Sequence, residues 1–137
     1  GITAPLLDQF LTLSDIKNLR VISGESGLVL RMPQPIAIQE EDSGLSAKSL
    51  ETLDKMKVLF TELPFLIEIK GVGVEKNEPE PFAAMERGVK ASQSVYMHLI
   101  GMGVIPQKIK ISGTIGSDDS KLETEDTFVE LAFRETY

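Results

Sequence analysis

Pro64-Phe65-Leu66-Ile67-Glu68-Ile69-Lys70-Gly71-Val72-Gly73-Val74 is the stretch that decides the fold. Phe65, Ile67 and Ile69 alternate with Leu66, Glu68 and Lys70, and that period of two puts the first three on one side of an extended chain. A strand is predicted over residues 65–72, with Pro64 separating it from what precedes. Gly71 and Gly73 then stand two apart. A Gly-x-Gly after a strand can open a dinucleotide loop, but here the third glycine is missing. The run from Glu75 to Pro81 also intervenes before the next helix, so a phosphate would not meet a helix N-terminus. That reading is rejected.

Downstream, Glu75-Lys76-Asn77-Glu78-Pro79-Glu80-Pro81 cannot propagate a strand or a helix, and its two prolines read as a stiff spacer. A helix is expected from about Phe82 to Gly101, with Met85, Val89, Ser92, Tyr96 and Leu99 on one face and Gly101-Met102-Gly103-Val104 ending it, a glycine there being available for a left-handed cap. A short alternating strand, Lys108 to Ile111, follows. Residues 113–125 read as a polar loop, and residues 128–134 as a last strand with clear alternation.

Upstream, Ser46 is a suitable N-cap for a helix running to about Glu62, with Leu50, Leu53, Met56, Phe60 and Leu63 as its apolar stripe. Residues 19–22 and 28–32 flank a Ser-Gly-Glu-Ser-Gly turn and read as a hairpin ended by Pro33 and Pro35. Residues 5–18 read as a helix with Leu6, Leu7, Phe10 and Leu13 at helical spacing, Pro5 in its first turn, and Ser14-Asp15 ending or restarting it. The order is helix, hairpin, helix, strand, helix, strand, loop, strand. Strand–helix–strand steps favour parallel pairing, and the hairpin and last strand add antiparallel pairing. An α/β (α+β) two-layer sandwich with a mixed sheet is the expected result.

The composition narrows the function. The 137 residues suit one core, and 42 % hydrophobic with 26 % charged residues is ordinary for a globular protein. A formal net charge of −7 disfavours nucleic acid, which needs a basic face, and gives no general attraction to anionic lipid. Cysteine is absent, which excludes disulfides, thiol nucleophiles and cysteine-based zinc sites. No apolar run is long enough to span a bilayer, and no signal peptide is visible. Gly1 in place of an initiating Met is expected of a processed piece from which an upstream anchor has been removed.

Several segments taken together resemble the OmpA-like peptidoglycan-binding domain, and within it the periplasmic domain of MotB-type flagellar stator proteins. Gly27 to Met32 is similar to the family's first strand. Ile36-Ala37-Ile38, the acidic loop after it, Leu45 and Ser46 are similar to Phe-x-x-Gly-Ser-Ala-x-Leu-[Thr/Ser]. Ile67-Glu68-Ile69-Lys70-Gly71 matches Ile-Glu-Val-x-Gly. Gly103 to Ile109 matches Gly-Ile-x-Pro-x-Arg-[Ile/Leu], and Val129-Glu130-Leu131 is similar to the Val-Glu-Ile of the last strand. The resemblance spans roughly residues 27–134. It implies an OmpA-like fold with helices packed on one face of the sheet, residues 1–18 as an N-terminal helix and linker, and residues 19–137 as the domain. It also implies a periplasmic domain of a bacterial inner-membrane protein, held by a missing N-terminal anchor, working as a homodimer with peptidoglycan and other envelope or motor proteins. No catalysis, cofactor or metal is implied.

The ligand residues depart from the family's pattern. The family's Gly-His-Thr-Asp stands at Gly71-Val72-Gly73-Val74, its clamp arginine at Ala91, and its Asn-Arg-Arg at Asp126-Thr127-Phe128. In the family the Asp and the Arg hold diaminopimelate, a carboxylate on the ligand's ammonium and a guanidinium forked onto its carboxylate. Weakened or lost peptidoglycan binding is therefore expected. Glu75, Arg87 and Lys90 lie near the vacated positions and are the candidates for a substitute clamp. The alternative is a protein–protein module on the same fold without a glycan ligand.

The remaining candidates have plainer explanations. His98, the sole histidine, has no metal or catalytic partners grouped around it in the sequence. Glu40-Glu41-Asp42 and Asp118-Asp119 lack the spacing of an EF-hand and read as solvated loops. Ser112, Ser117 and Ser120 have no nucleophile elbow and no evident base.

Overall fold

The computed structural model describes residues 4–16, 20–24, 27–32, 45–75, 79–80, 82–116 and 127–135. The central strand, β3 (Phe65–Val74), carries the alternation expected of it: Phe65, Ile67 and Ile69 are buried while Leu66 and Lys70 are exposed. The strand does not stop at Val72. It runs through both glycines to Val74, because β4 (Ile109–Gly116) lies parallel to it over its whole length, with Gly71 opposite Gly113 and Val74 opposite Gly116. Residues 113–116, expected to start a polar loop, are therefore strand. Residues 106–108 form a 3-10 turn before it.

On its other side β3 pairs antiparallel with β5 (Thr127–Glu135), which pairs with β2 (Gly27–Met32), itself one arm of a hairpin with β1 (Arg20–Gly24). The five-stranded mixed sheet has the order β1-β2-β5-β3-β4. Its last strand in sequence inserts between the hairpin and the parallel pair.

The helices share one core against one face of the sheet. α1 (Ala4–Leu13), α2 (Ala47–Lys55), α3 (Lys57–Thr61) and α4 (Ala83–Gly101) contribute Leu7, Leu11, Leu53, Phe60, Val95 and Leu99 to a cluster with Ile67, Ile69, Leu131 and Phe133. Phe133 stacks on Phe60 and meets Phe65 edge-on, both at a centroid separation of 5.9 Å. Such ring pairs add about 1 kcal/mol each beyond their buried area.

Local chemistry sets the helix ends. Ser46 accepts a hydrogen bond from the Ser49 amide at 3.1 Å and caps α2 as expected. The predicted continuous helix to Glu62 is broken at Met56, whose amide donates to the Leu53 carbonyl at 3.0 Å and leaves the α-helical ladder. Met56 stays fully buried, so the break keeps the apolar stripe aimed at the core. Lys108 closes α3, its Nζ donating to the Phe60 and Leu63 carbonyls, both at 3.0 Å.

α1 ends at Ser14-Asp15, one of the two outcomes expected of that step. Asp15 takes a left-handed conformation (φ 56°), and Ile16 N donates to the Leu11 carbonyl at 2.8 Å. Gly103 (φ 103°) ends α4 by the same device, with Val104 N donating to the Leu99 carbonyl at 3.0 Å. The buried side of α1 is Leu7 and Leu11; Leu6 and Leu13, expected on the core stripe, are exposed.

The face of α4 differs most from expectation. Ala84, Gly88, Ala91, Ser92, Val95 and Leu99 are buried, whereas Met85 is exposed. Small residues line the contact because the helix lies directly on the backbone of β3. A Cβ on Gly71 would overlap the Gly88 carbonyl oxygen, and one on Gly73 would overlap that of Ala84. The glycine α-hydrogens point at these oxygens, in the geometry of weak Cα–H···O contacts.

Candidate functional site

The end of β3, the first half of α4 and the start of β5 converge where the sequence places its altered ligand motif. Gly71 and Gly73 face α4, so Val72 and Val74 point to the opposite side of the sheet. Phe128 is the register partner of Val72 on β5. Val72, Val74 and Phe128 are all buried and form a second apolar cluster, separate from the main core. These are the positions at which the resembled family carries His, Asp and Arg. A set of polar ligand groups is matched here by a set of mutually packed apolar ones.

Ala91 is 0 % exposed and belongs to the main core. A guanidinium starting from that Cβ would have to leave the helix–sheet interface to meet a ligand. Arg87, one turn earlier, is half-buried and donates from Nη2 to the Val74 carbonyl at 2.7 Å. That bond ties α4 to the end of β3 and holds the guanidinium at the old motif. Glu75 is exposed, and its amide donates to the Gly116 carbonyl at 3.0 Å, continuing the β3–β4 ladder by one residue. Lys90 is exposed. Arg87 is thus the one member of the trio whose side chain is anchored at the motif; the other two project into solvent around it.

His98 does have a partner. Its Nε2 lies 2.8 Å from Oδ1 of Asp54, which connects α4 to α2 at the surface. A separation of 44 residues hides such a pair from any reading of local sequence. The acidic runs at residues 40–42 and 118–119, and Asp126, lie outside the described residues. Among the described residues there is no group of three or more His, Cys, Asp or Glu side chains placed to hold a metal ion. Among them, too, no helix is long and apolar enough to cross a membrane.

The paired valines and Phe128 were the feature that sequence reasoning missed. The signal was present as Val72-x-Val74, an apolar alternation in opposite phase to Phe65-x-Ile67-x-Ile69, but its partner on β5 is more than fifty residues away.

The fold is shared with solved structures. A MotB-like protein from Desulfovibrio vulgaris superposes with a TM-score of 0.68 at 16% identity, over 96% of this chain and 88% of that one. The cell wall anchor of the type VI secretion system from Pseudomonas aeruginosa gives 0.68 at 11% identity, over 97% and 100%. The periplasmic domain of Helicobacter pylori MotB gives 0.61 at 18% identity, over 88% and 82%. No family model and no curated protein matches the chain. The chain has the OmpA-like fold of MotB periplasmic domains and other envelope proteins.

Proposed function

We propose that this chain is a non-enzymatic domain of the bacterial cell envelope that anchors or organises a membrane complex, with weakened or lost binding of peptidoglycan. The observation that carries this reading is the Val72–Val74–Phe128 cluster. A single lost carboxylate could be replaced from nearby. Three polar positions turned into one packed apolar patch remove the site's chemistry together. A diaminopimelate ammonium entering there would find no carboxylate in the patch to meet it, a cost of roughly several kcal/mol. The envelope setting rests on the fold shared with a cell wall anchor and with periplasmic MotB domains. On this reading the domain works in the periplasm behind an upstream membrane anchor, as a dimer, in a flagellar stator or a related complex.

Glu75, Arg87 and Lys90 are the groups that would form a substitute clamp. The Arg87 bond to the Val74 carbonyl uses one of the five guanidinium N–H groups and fixes where that charge sits. The second reading is a protein-binding module on the same fold without a glycan ligand. Titration calorimetry with a diaminopimelate-containing stem peptide tests the proposal. No saturable heat is expected. Saturable binding that Glu75→Gln or Arg87→Met abolishes would establish the substitute clamp and overturn the proposed loss.

A further inference from the structure

β4 is an edge strand. Among the described residues it pairs with β3 alone, so alternate peptide groups along Ile109–Gly116 face outward with no ladder partner. Sheet edges of this kind are normally blocked by proline, a bulge or charged side chains, lysine above all. Within Ile109–Gly116 there is no proline, the register with β3 runs without interruption, and Lys110 is the one charged residue.

The flank of α4 beside this edge is apolar. A Cβ on Gly113 would meet Val89 N at 2.9 Å and Val89 Cα at 3.1 Å, so the helix passes over the middle of β4 at Val89. Ile111 and Ile115, two residues either side of Gly113, share its face and are 38% and 37% exposed. Phe82 and Met85 stand seven and four residues before Val89, on the same side of the helix, and Phe82 is 66% exposed. The outward ladder therefore runs beside a shelf of Ile111, Ile115, Met85 and Phe82.

Charge indicates what fits. The chain carries −7, yet residues 101–116 contain Lys108 and Lys110 and no Asp or Glu. Lys108 is occupied at the end of α3. Lys110 is exposed on the sheet face away from α4, while Lys70, one strand further in, stands opposite Glu130 of β5. Glu68, the register neighbour of Lys110, is 3.8 Å from Arg134.

We infer that the β4 edge binds an extended segment of a partner protein, adding it as a sixth strand. Its apolar residues, at every second position, rest on the Ile111–Ile115–Met85–Phe82 shelf, and its acidic residues on the other face lie beside Lys110. Main-chain hydrogen bonds supply the affinity, and the shelf and Lys110 supply the selectivity. A second copy of β4 is a poor complement, since that strand brings lysine and no carboxylate and both chains carry the same net charge. The contact does not use the Val72–Val74–Phe128 patch and stands whether or not peptidoglycan binds.

The test uses a capped synthetic peptide of alternating valine and glutamate, followed by amide NMR of the whole chain. Saturable shifts are expected along Ile109–Gly116. Methylating alternate peptide nitrogens on its ladder side abolishes them. Lys110→Glu, at an exposed position, weakens the peptide about tenfold and favours a valine–lysine peptide instead. Absence of shifts in β4, or shifts that survive N-methylation, would overturn the inference. So would self-association of the free chain through β4, which would assign the edge to a second copy.

Discussion

Gly71→Ala is the substitution whose cost the geometry states most directly. The new Cβ would overlap the Gly88 carbonyl oxygen and stand 2.6 Å from the Gly88 carbonyl carbon and 3.1 Å from Ser92 N. Carbon atoms in contact prefer about 3.5–4.0 Å, so α4 must lift by about 1 Å along the seam. The obstacle is helix backbone, which has no rotamer to change. A gap of that size forfeits about a quarter to a half of the dispersion energy across an interface that includes Val95 and Leu99. Overpacking costs typically about 1–3 kcal/mol, and a backbone clash belongs at the upper end. The stiffer unfolded chain returns about 0.4–1 kcal/mol. The net loss is about 2–2.6 kcal/mol, or roughly 10 °C in Tm for a chain of this size. Urea unfolding followed by circular dichroism measures it. Gly101→Ala is the matched control: nothing lies within 4 Å of its Cβ, so it should be neutral or slightly stabilising. A Gly71→Ala variant within about 0.5 kcal/mol of the parent would refute the close-approach argument.

Ile67→Asp should abolish cooperative unfolding, since Ile67 is buried in the main core and a carboxylate there finds no partner; parent-like melting would contradict the placement of β3. Lys108→Met should cost about 2–3 kcal/mol by removing two charged hydrogen bonds from the end of α3, read from the shift in urea midpoint. Ser46→Ala should cost about 1 kcal/mol through the lost cap, with faster amide exchange at Ser49 as its local signature.

The large apolar alternations were legible before any coordinates. Phe65, Ile67 and Ile69 announced their strand and its buried side, and Ser46 and the Gly101-Met102-Gly103 segment announced helix ends, because each depends on neighbours within a few residues. The buried face of α4 was not legible in the same way. Hydrophobic spacing selects large residues, and it picked Met85 and Val89. Closeness to Gly71 and Gly73 instead requires small ones, Ala84 and Gly88, one position away. The length of β4 was hidden because Ser112, Gly113, Thr114 and Gly116 look like loop residues. They become strand through parallel pairing with Lys70 to Val74. The motif position itself was legible as an absence of polar groups. What replaced them required the β5 register, which brings Phe128 opposite Val72.

The proposed loss of ligand binding on an OmpA-like fold is directly testable. Co-sedimentation of this chain with purified peptidoglycan sacculi tests it, run beside an OmpA-like domain that retains the Asp and Arg clamp. This chain is expected to stay at background while the control pellets saturably. Saturable pelleting comparable to the control would contradict it, and would return Glu75, Arg87 and Lys90 to the centre of the site.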